Sequence, residues 1–262
     1  LNNFNHILTD GFKQIKFPSH KNENWRYVNL RVLKKILSTY QSTIEKHNIL
    51  KDQNIESDLI INDEAIHVKK IICNEVSIDV ISPDQIKNVN PIIKDKIGNI
   101  AKIDDFFVSD NTSSFNKLIL IGLDGKLDFN INIDINISKD VNFKNRFFIY
   151  STSKSSSSIQ VNFHNRKSLV NSLFEFFIQD SSNLKLICVN NGKESVDIIN
   201  YWFEIHKNAN LNATFLSLGS EKILKNDIRV DLVGKSAKAD LGGLYIPQLN
   251  ALVDYNLKIN HL

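Results

Sequence analysis

The chain has 262 residues, 42% hydrophobic and 23% charged, with a formal net charge of +3. That length suffices for one large or two modest domains with a sizeable core. The charge is too small, and too evenly spread along the chain, to argue for nucleic acid or an anionic membrane. Cys73 and Cys188 form no CxxC pair, so a reducing compartment fits better than a disulfide framework. No signal-peptide pattern opens the chain and no apolar run approaches about 18 residues, so the reading is cytoplasmic. The chain starts at Leu1, contains no methionine and ends at His261-Leu262 in strand-like sequence, so a fragment is expected. The 34 Asn, 36 Ile and 27 Lys against 5 Arg read as a nucleotide-composition bias, which lowers the weight of Asn-rich patches.

Apolar residues at Phe4, Ile7, Leu8, Phe12 and Ile15 predict a helix over 2–16. The stretch 17–30 then crowds Trp25, Arg26 and Tyr27 together, and Trp25 and Tyr27 are expected to fold onto the N-terminal helices as a small core. Asn29 suits the cap of a second helix whose apolar face is Leu30, Leu33, Ile36 and Leu37. "DLIINDEAIHV" (58–68) reads as two strands around Asp63-Glu64. Short helical pieces are expected over 83–116, with Pro83 and Pro91 in first turns.

Near Lys117 the pattern changes. Leu127, Phe129, Ile131, Ile133, Ile135 and Ile137 alternate with polar residues, the period of a strand with one face buried. Strand then follows strand to the end. The serine run 155–158 reads as a loop inside the domain, and Asp124-Gly125 as the clearest hairpin turn. Aligning Ile159, Leu184, Leu211 and Ala239 gives an imperfect repeat of 25, 27 and 28 residues. Repeats of that length built of strands imply a solenoid. The fold expected is mainly β: a parallel β-helix over 117–262, truncated at its C-terminal end, preceded by a helical or mixed α+β region over 1–116. Ala209, Ala237, Ala239, Gly242 and Gly243 would sit where coils pack tightly. A β-sandwich is the rival, but hairpin signals are scarce.

Chemistry-bearing patterns are thin. "VGKSA" (233–237) has Arg229 where a phosphate loop needs glycine. His6, His20, His47, His67, His164, His206 and His261 show no HxH or HExxH spacing; His164 and His206 with Cys188 form the one conceivable soft-metal set. Asp227, Asp231, Asp240 and Asp254 are the carboxylates a polysaccharide-acting solenoid enzyme would use, yet they alternate as on any solvated strand face.

Pro18, Lys21, Glu23, Trp25, Arg26, Tyr27 and Leu30 resemble the P-x-x-K-x-E-x-W-[RK]-Y-x-x-L segment of SufD-type proteins, in the SufB/SufD family of the SUF iron–sulfur assembly system. "DIRVDLVGKSAKADLGGLYI" (227–246), which holds Gly234, and "LVDYNLKINHL" (252–262) are similar to the same family, Asp254 and His261 matching its acid and terminal His. Tyr255 and Val253 depart from that pattern. The resemblance implies a right-handed parallel β-helix flanked by helices and a non-catalytic scaffold role in a SufBCD complex. The implied partners are a SufB-like paralogue, with a homodimer as the other pairing, and a SufC-like ABC ATPase. It implies that this chain alone binds no cofactor, the iron–sulfur cluster being assembled by the complex. A polysaccharide-acting solenoid enzyme and a generic β-solenoid interaction module are the alternatives.

Overall fold

A computed structural model of the chain describes residues 15–42, 48–52, 56–69, 73–115, 117–138, 140–248 and 250–262. The helix expected over 2–16 lies almost wholly outside them. The next helix, α1 (Leu30–Thr39), is where its pattern placed it: the Asn29 side chain accepts the Val32 N–H, and Leu30 and Leu33 face the core. Single 3₁₀ turns span Glu23–Trp25 and Pro83–Asn88. Pro91 opens α2 (Pro91–Lys96), and Asp105 caps α3 (Phe106–Ser114) by accepting the Phe107 N–H.

Strands β1 (Gln41–Ser42), β2 (Asn48–Asp52), β3 (Leu59–Asn62), β4 (Ala65–Lys69) and β5 (Val76–Ile81) interleave with these helices. β3 and β4 pair antiparallel around Asp63-Glu64, as the sequence suggested. The remaining strands are β6 (Leu118–Leu123), β7 (Lys126–Asn136), β8 (Val141–Ser151), β9 (Ser156–Phe163), β10 (Leu169–Ile178) and β11 (Asn183–Asn190). They continue as β12 (Val196–Ile205), β13 (Asn210–Ser217), β14 (Ile223–Leu232), β15 (Lys238–Tyr245) and β16 (Leu252–His261).

From β7 on the chain alternates between two sheets. One orders β16-β14-β12-β10-β8-β6-β5 and the other β15-β13-β11-β9-β7-β3-β4-β2. Each consecutive pair, from β7/β8 to β15/β16, is one coil, so five coils stack in parallel register as a β-helix. β3 and β5 extend the two sheets beyond the first coil.

Inward side chains stack in columns across the coils. Phe147, Phe174 and Tyr201 are backbone partners, with ring centroids 4.4 and 5.2 Å apart, and Phe176 stacks on Phe203 at 4.5 Å. Each fully buried ring of this kind contributes roughly 1.5–3 kcal/mol of transfer free energy.

Four expectations need correction. Asp124-Gly125 makes no hairpin: β6 and β7 belong to different sheets, so the turn, with Gly125 at φ +64°, is a corner of the first coil. The serine run is no loop: Ser156–Ser158 begin β9, and Ser155 and Ser157 are buried. The true partner of Leu184 is Ser157, not Ile159, so the first repeat step is 27 residues rather than 25. Tight packing falls at Gly234 rather than at Gly242 and Gly243. A Cβ on Gly234 would lie 2.0 Å from the Lys207 nitrogen, whereas Gly242 and Gly243 have no neighbour nearer than 4.0 and 3.8 Å. Gly234→Ala should therefore push the turn off the coil beneath it and cost about 2–3 kcal/mol, measured as a lower urea midpoint. Gly242→Ala should cost less than about 1 kcal/mol.

Candidate functional site

The N-terminal helices lie against the outer face of the sheet containing β8, β10, β12 and β14. Leu169, Val196, Ile198 and Ile223, at the starts of three of those strands, pack against Trp25, Val28, Leu30, Leu33 and Phe107. Trp25 is 2% exposed and stacks on Phe107 at 5.2 Å, and its Nε1 donates to Asp105 Oδ2 at 2.6 Å. Burial pushes the Asp105 carboxyl up, and the Trp25 and Phe107 hydrogen bonds partly offset this. Tyr27 departs from expectation: it is 75% exposed, with the Arg26 guanidinium 5.7 Å from its ring centroid.

The two family-like segments meet in space. Lys225 Nζ lies 5.0 Å from the Trp25 ring and donates to Asp254 Oδ2 at 2.9 Å. A residue near the start of the chain and one near its end thus share a single buried lysine. Pro18 and Leu30 are buried beside Trp25 in sequence, Lys21, Glu23 and Arg26 are exposed, and His261 is exposed at the end of β16.

Further along the same face, charged groups tie the helical layer down. Arg229 donates to Asp104 Oδ2 at 2.6 Å and to Asp227 Oδ1 at 3.1 Å, and sits 4.5 Å above the Trp202 ring. Its two carboxylate partners raise its pKa against the opposing effect of burial. Lys96 donates to Glu204 Oε1 at 2.5 Å, and His206 Nε2 lies 2.7 Å from the same oxygen. The deepest pair joins Arg146 and Glu175, both 0% exposed, at 2.8 Å.

The conceivable soft-metal set is not assembled. Cys188 is enclosed inside the coils beside Tyr201, and burial pushes its thiol up to about 12. His164 is exposed, and His206 is engaged with Glu204 on the outer face. No group of three or more His, Cys, Asp or Glu side chains able to hold a metal occurs among the described residues. The four aspartates do not converge either: Asp227 pairs with Arg229, Asp254 with Lys225, Asp231 accepts from Asn260, and Asp240 lies on the other sheet.

The last described coil carries an apolar surface. Among the described residues, β15 and β16 each pair on one side only. Leu244, Tyr245, Ile246, Leu257 and Ile259 are exposed there, beside an apolar cleft of about 210 Å³ lined by Phe215, Tyr255 and Leu257. Strand edges with apolar side chains are templates for another sheet. The strand alternation contained the signal, since Leu257 and Ile259 occupy inward positions.

No helix among the described residues is long and apolar enough to cross a membrane. Residues 135–262, which run from the end of β7 through β16, match the family model described as SUF system FeS cluster assembly, SufBD core domain. No curated protein matches the chain. The match covers just under half of the chain and shows a likeness to that core domain.

Proposed function

We propose that this chain is a SufD-type, non-catalytic scaffold subunit of a SufBCD complex. The observation that carries the reading is the coincidence of the SufBD core match with the five stacked coils. The SufD assignment rests on the Trp25-Arg26-Tyr27 segment, whose tryptophan anchors the N-terminal layer to Lys225. A β-helical paralogue would join such coils by main-chain pairing of strands at a sheet edge. The buttressed outer face makes the helical layer and the coils move together, which lets a SufC-like ATPase reshape the pair during nucleotide hydrolysis. The nascent iron–sulfur cluster is cargo of the complex.

Affinity capture of the native protein from its own cells, with quantification of what co-purifies, tests this. An ABC-type ATPase and a β-helical paralogue in near-stoichiometric amounts are expected, with reduced activity of iron–sulfur enzymes on depletion. A protein that emerges alone, and whose loss leaves those enzymes at normal activity, would leave only a solenoid interaction module.

A further inference from the structure

Charge that is evenly spread along the chain becomes concentrated by folding. α1 carries Arg31, Lys34 and Lys35 on its exposed side, opposite the buried Leu30 and Leu33. It lies across the starts of β10, β12, β14 and β16, packing on Leu169, Val196, Ile223 and Leu252. Its ten residues measure about 15 Å, close to three coil spacings of roughly 4.8 Å. The corners that lead into those strands carry Arg166 and Lys167, then Lys193, then Lys222, all exposed. Tyr40, the C-cap of α1, feels both Asp140 and Glu194, which places the helix end against this corner column.

With Arg26, among the described residues eight cations meet three carboxylates here, Glu23, Asp140 and Glu194. All three exposed arginines of the chain (Arg26, Arg31, Arg166) fall on this surface, while Arg146 and Arg229 are buried in ion pairs. In a chain so poor in arginine, that placement is informative. Arg166 and Lys193 are also direct backbone partners on adjacent coils. Like charges held directly opposite destabilise a sheet, and an anionic ligand reverses that cost.

We propose that α1 and the adjoining coil corner form a docking surface for a short acidic segment of a partner protein. Arginine forks suit carboxylates bidentately, and the interspersed Glu23 and Glu194 suit a ligand of limited charge density. Single-stranded nucleic acid would call for several aromatic platforms, and Tyr27 is the one exposed ring here. A membrane surface would call for a broad apolar face, which α1 directs inward. The inference does not depend on the iron–sulfur reading.

The test is fluorescence anisotropy of a labelled deca-glutamate peptide with the intact protein at low and moderate salt. Binding that weakens with salt is expected. The combined variant Arg31→Glu, Lys34→Glu, Arg166→Glu and Lys193→Glu should weaken it at least about tenfold. Reversing Lys126, Lys185, Lys235 and Lys238, exposed elsewhere with the same change in net charge, should weaken it less than about threefold. Equal losses in the two variants would reduce the effect to overall charge and overturn the proposal. So would an absence of peptide binding, or tighter binding of oligo-thymidylate or phosphatidylserine vesicles.

Discussion

Glu175→Ala should lower the unfolding free energy by roughly 3–5 kcal/mol, the range for removing one partner of a buried ion pair. Arg146 Nη2 donates to Glu175 Oε2 at 2.8 Å, and its Nη1 donates to Thr112 at 2.8 Å on α3. Without Glu175, a fully buried guanidinium keeps only a hydroxyl and the Phe115 ring, 5.3 Å away. The same carboxylate accepts the Ala101 N–H at 2.9 Å and the Gly98 N–H at 3.1 Å, so two backbone donors also lose their partner. Urea titration monitored by fluorescence gives the magnitude. Hydrogen exchange locates it, with protection at Gly98 and Ala101 falling first. Glu175→Gln, which keeps an acceptor for those amides, should cost clearly less than the alanine variant. A loss under about 1 kcal/mol for Glu175→Ala would mean that the pair does not hold the helical layer to the coils.

A second large effect should appear as a dependence on pH. Asp197 is fully buried inside the coils and burial raises its carboxyl from 3.8 to about 7, the neighbouring Glu221 adding to the rise. Ser195 Oγ and Asn165 Nδ2 donate to it at 2.7 and 2.8 Å and hold it lower than burial alone would. Glu221, itself pushed up by burial, accepts the Gly192 N–H at 2.7 Å. Because the folded pKa of Asp197 lies above its unfolded value, the folded state favours the protonated acid. That contribution is complete below about pH 4 and is lost as the pH climbs through about 7. At roughly 1.4 kcal/mol per unit, Asp197 alone makes the fold up to about 4 kcal/mol less stable at pH 8 than at pH 4. Asp197→Asn should remove most of that slope and stabilise the protein at pH 8. Equal slopes for the wild type and the variant in urea melts across this range would refute the assignment.

The strands that carry the repeat legible in the sequence all belong to one sheet. Ile159, Leu184, Leu211 and Ala239 lie on β9, β11, β13 and β15, whose outer face meets solvent, so burial alternates residue by residue. β10, β12 and most of β14 are covered on both faces by core and helical layer, and "LVNSLFEFFI" or "VDIINYWFEI" shows no such rhythm. The two-residue slip at Ile159 has a physical origin as well: the true partner, Ser157, is a buried serine where the pattern calls for an apolar residue. Arg146, Glu175 and Asp197 stayed illegible because a charged residue within a strand reads as solvated until a partner from a distant segment is found. The sequence placed Trp25 and Tyr27 alike in the core: both are aromatic, and only the packing of α1 against Leu169 and Val196 separates the buried Trp25 from the exposed Tyr27.

The even spacing of the coils also governs how the fold is reached. Leu169 pairs with Val196 and Val196 with Ile223, each 27 residues further along (196 − 169 and 223 − 196). The next step, Ile223 to Leu252, is 29 residues (252 − 223), so every new coil closes a loop of nearly one length and meets nearly the same entropic toll, on the order of 3 kcal/mol. The first such closure has no neighbour to reward it, while each later one lands on an existing template. The Phe147–Phe174–Tyr201 column offers the largest reward and sits mid-stack, so ordering should begin there and zip toward both ends.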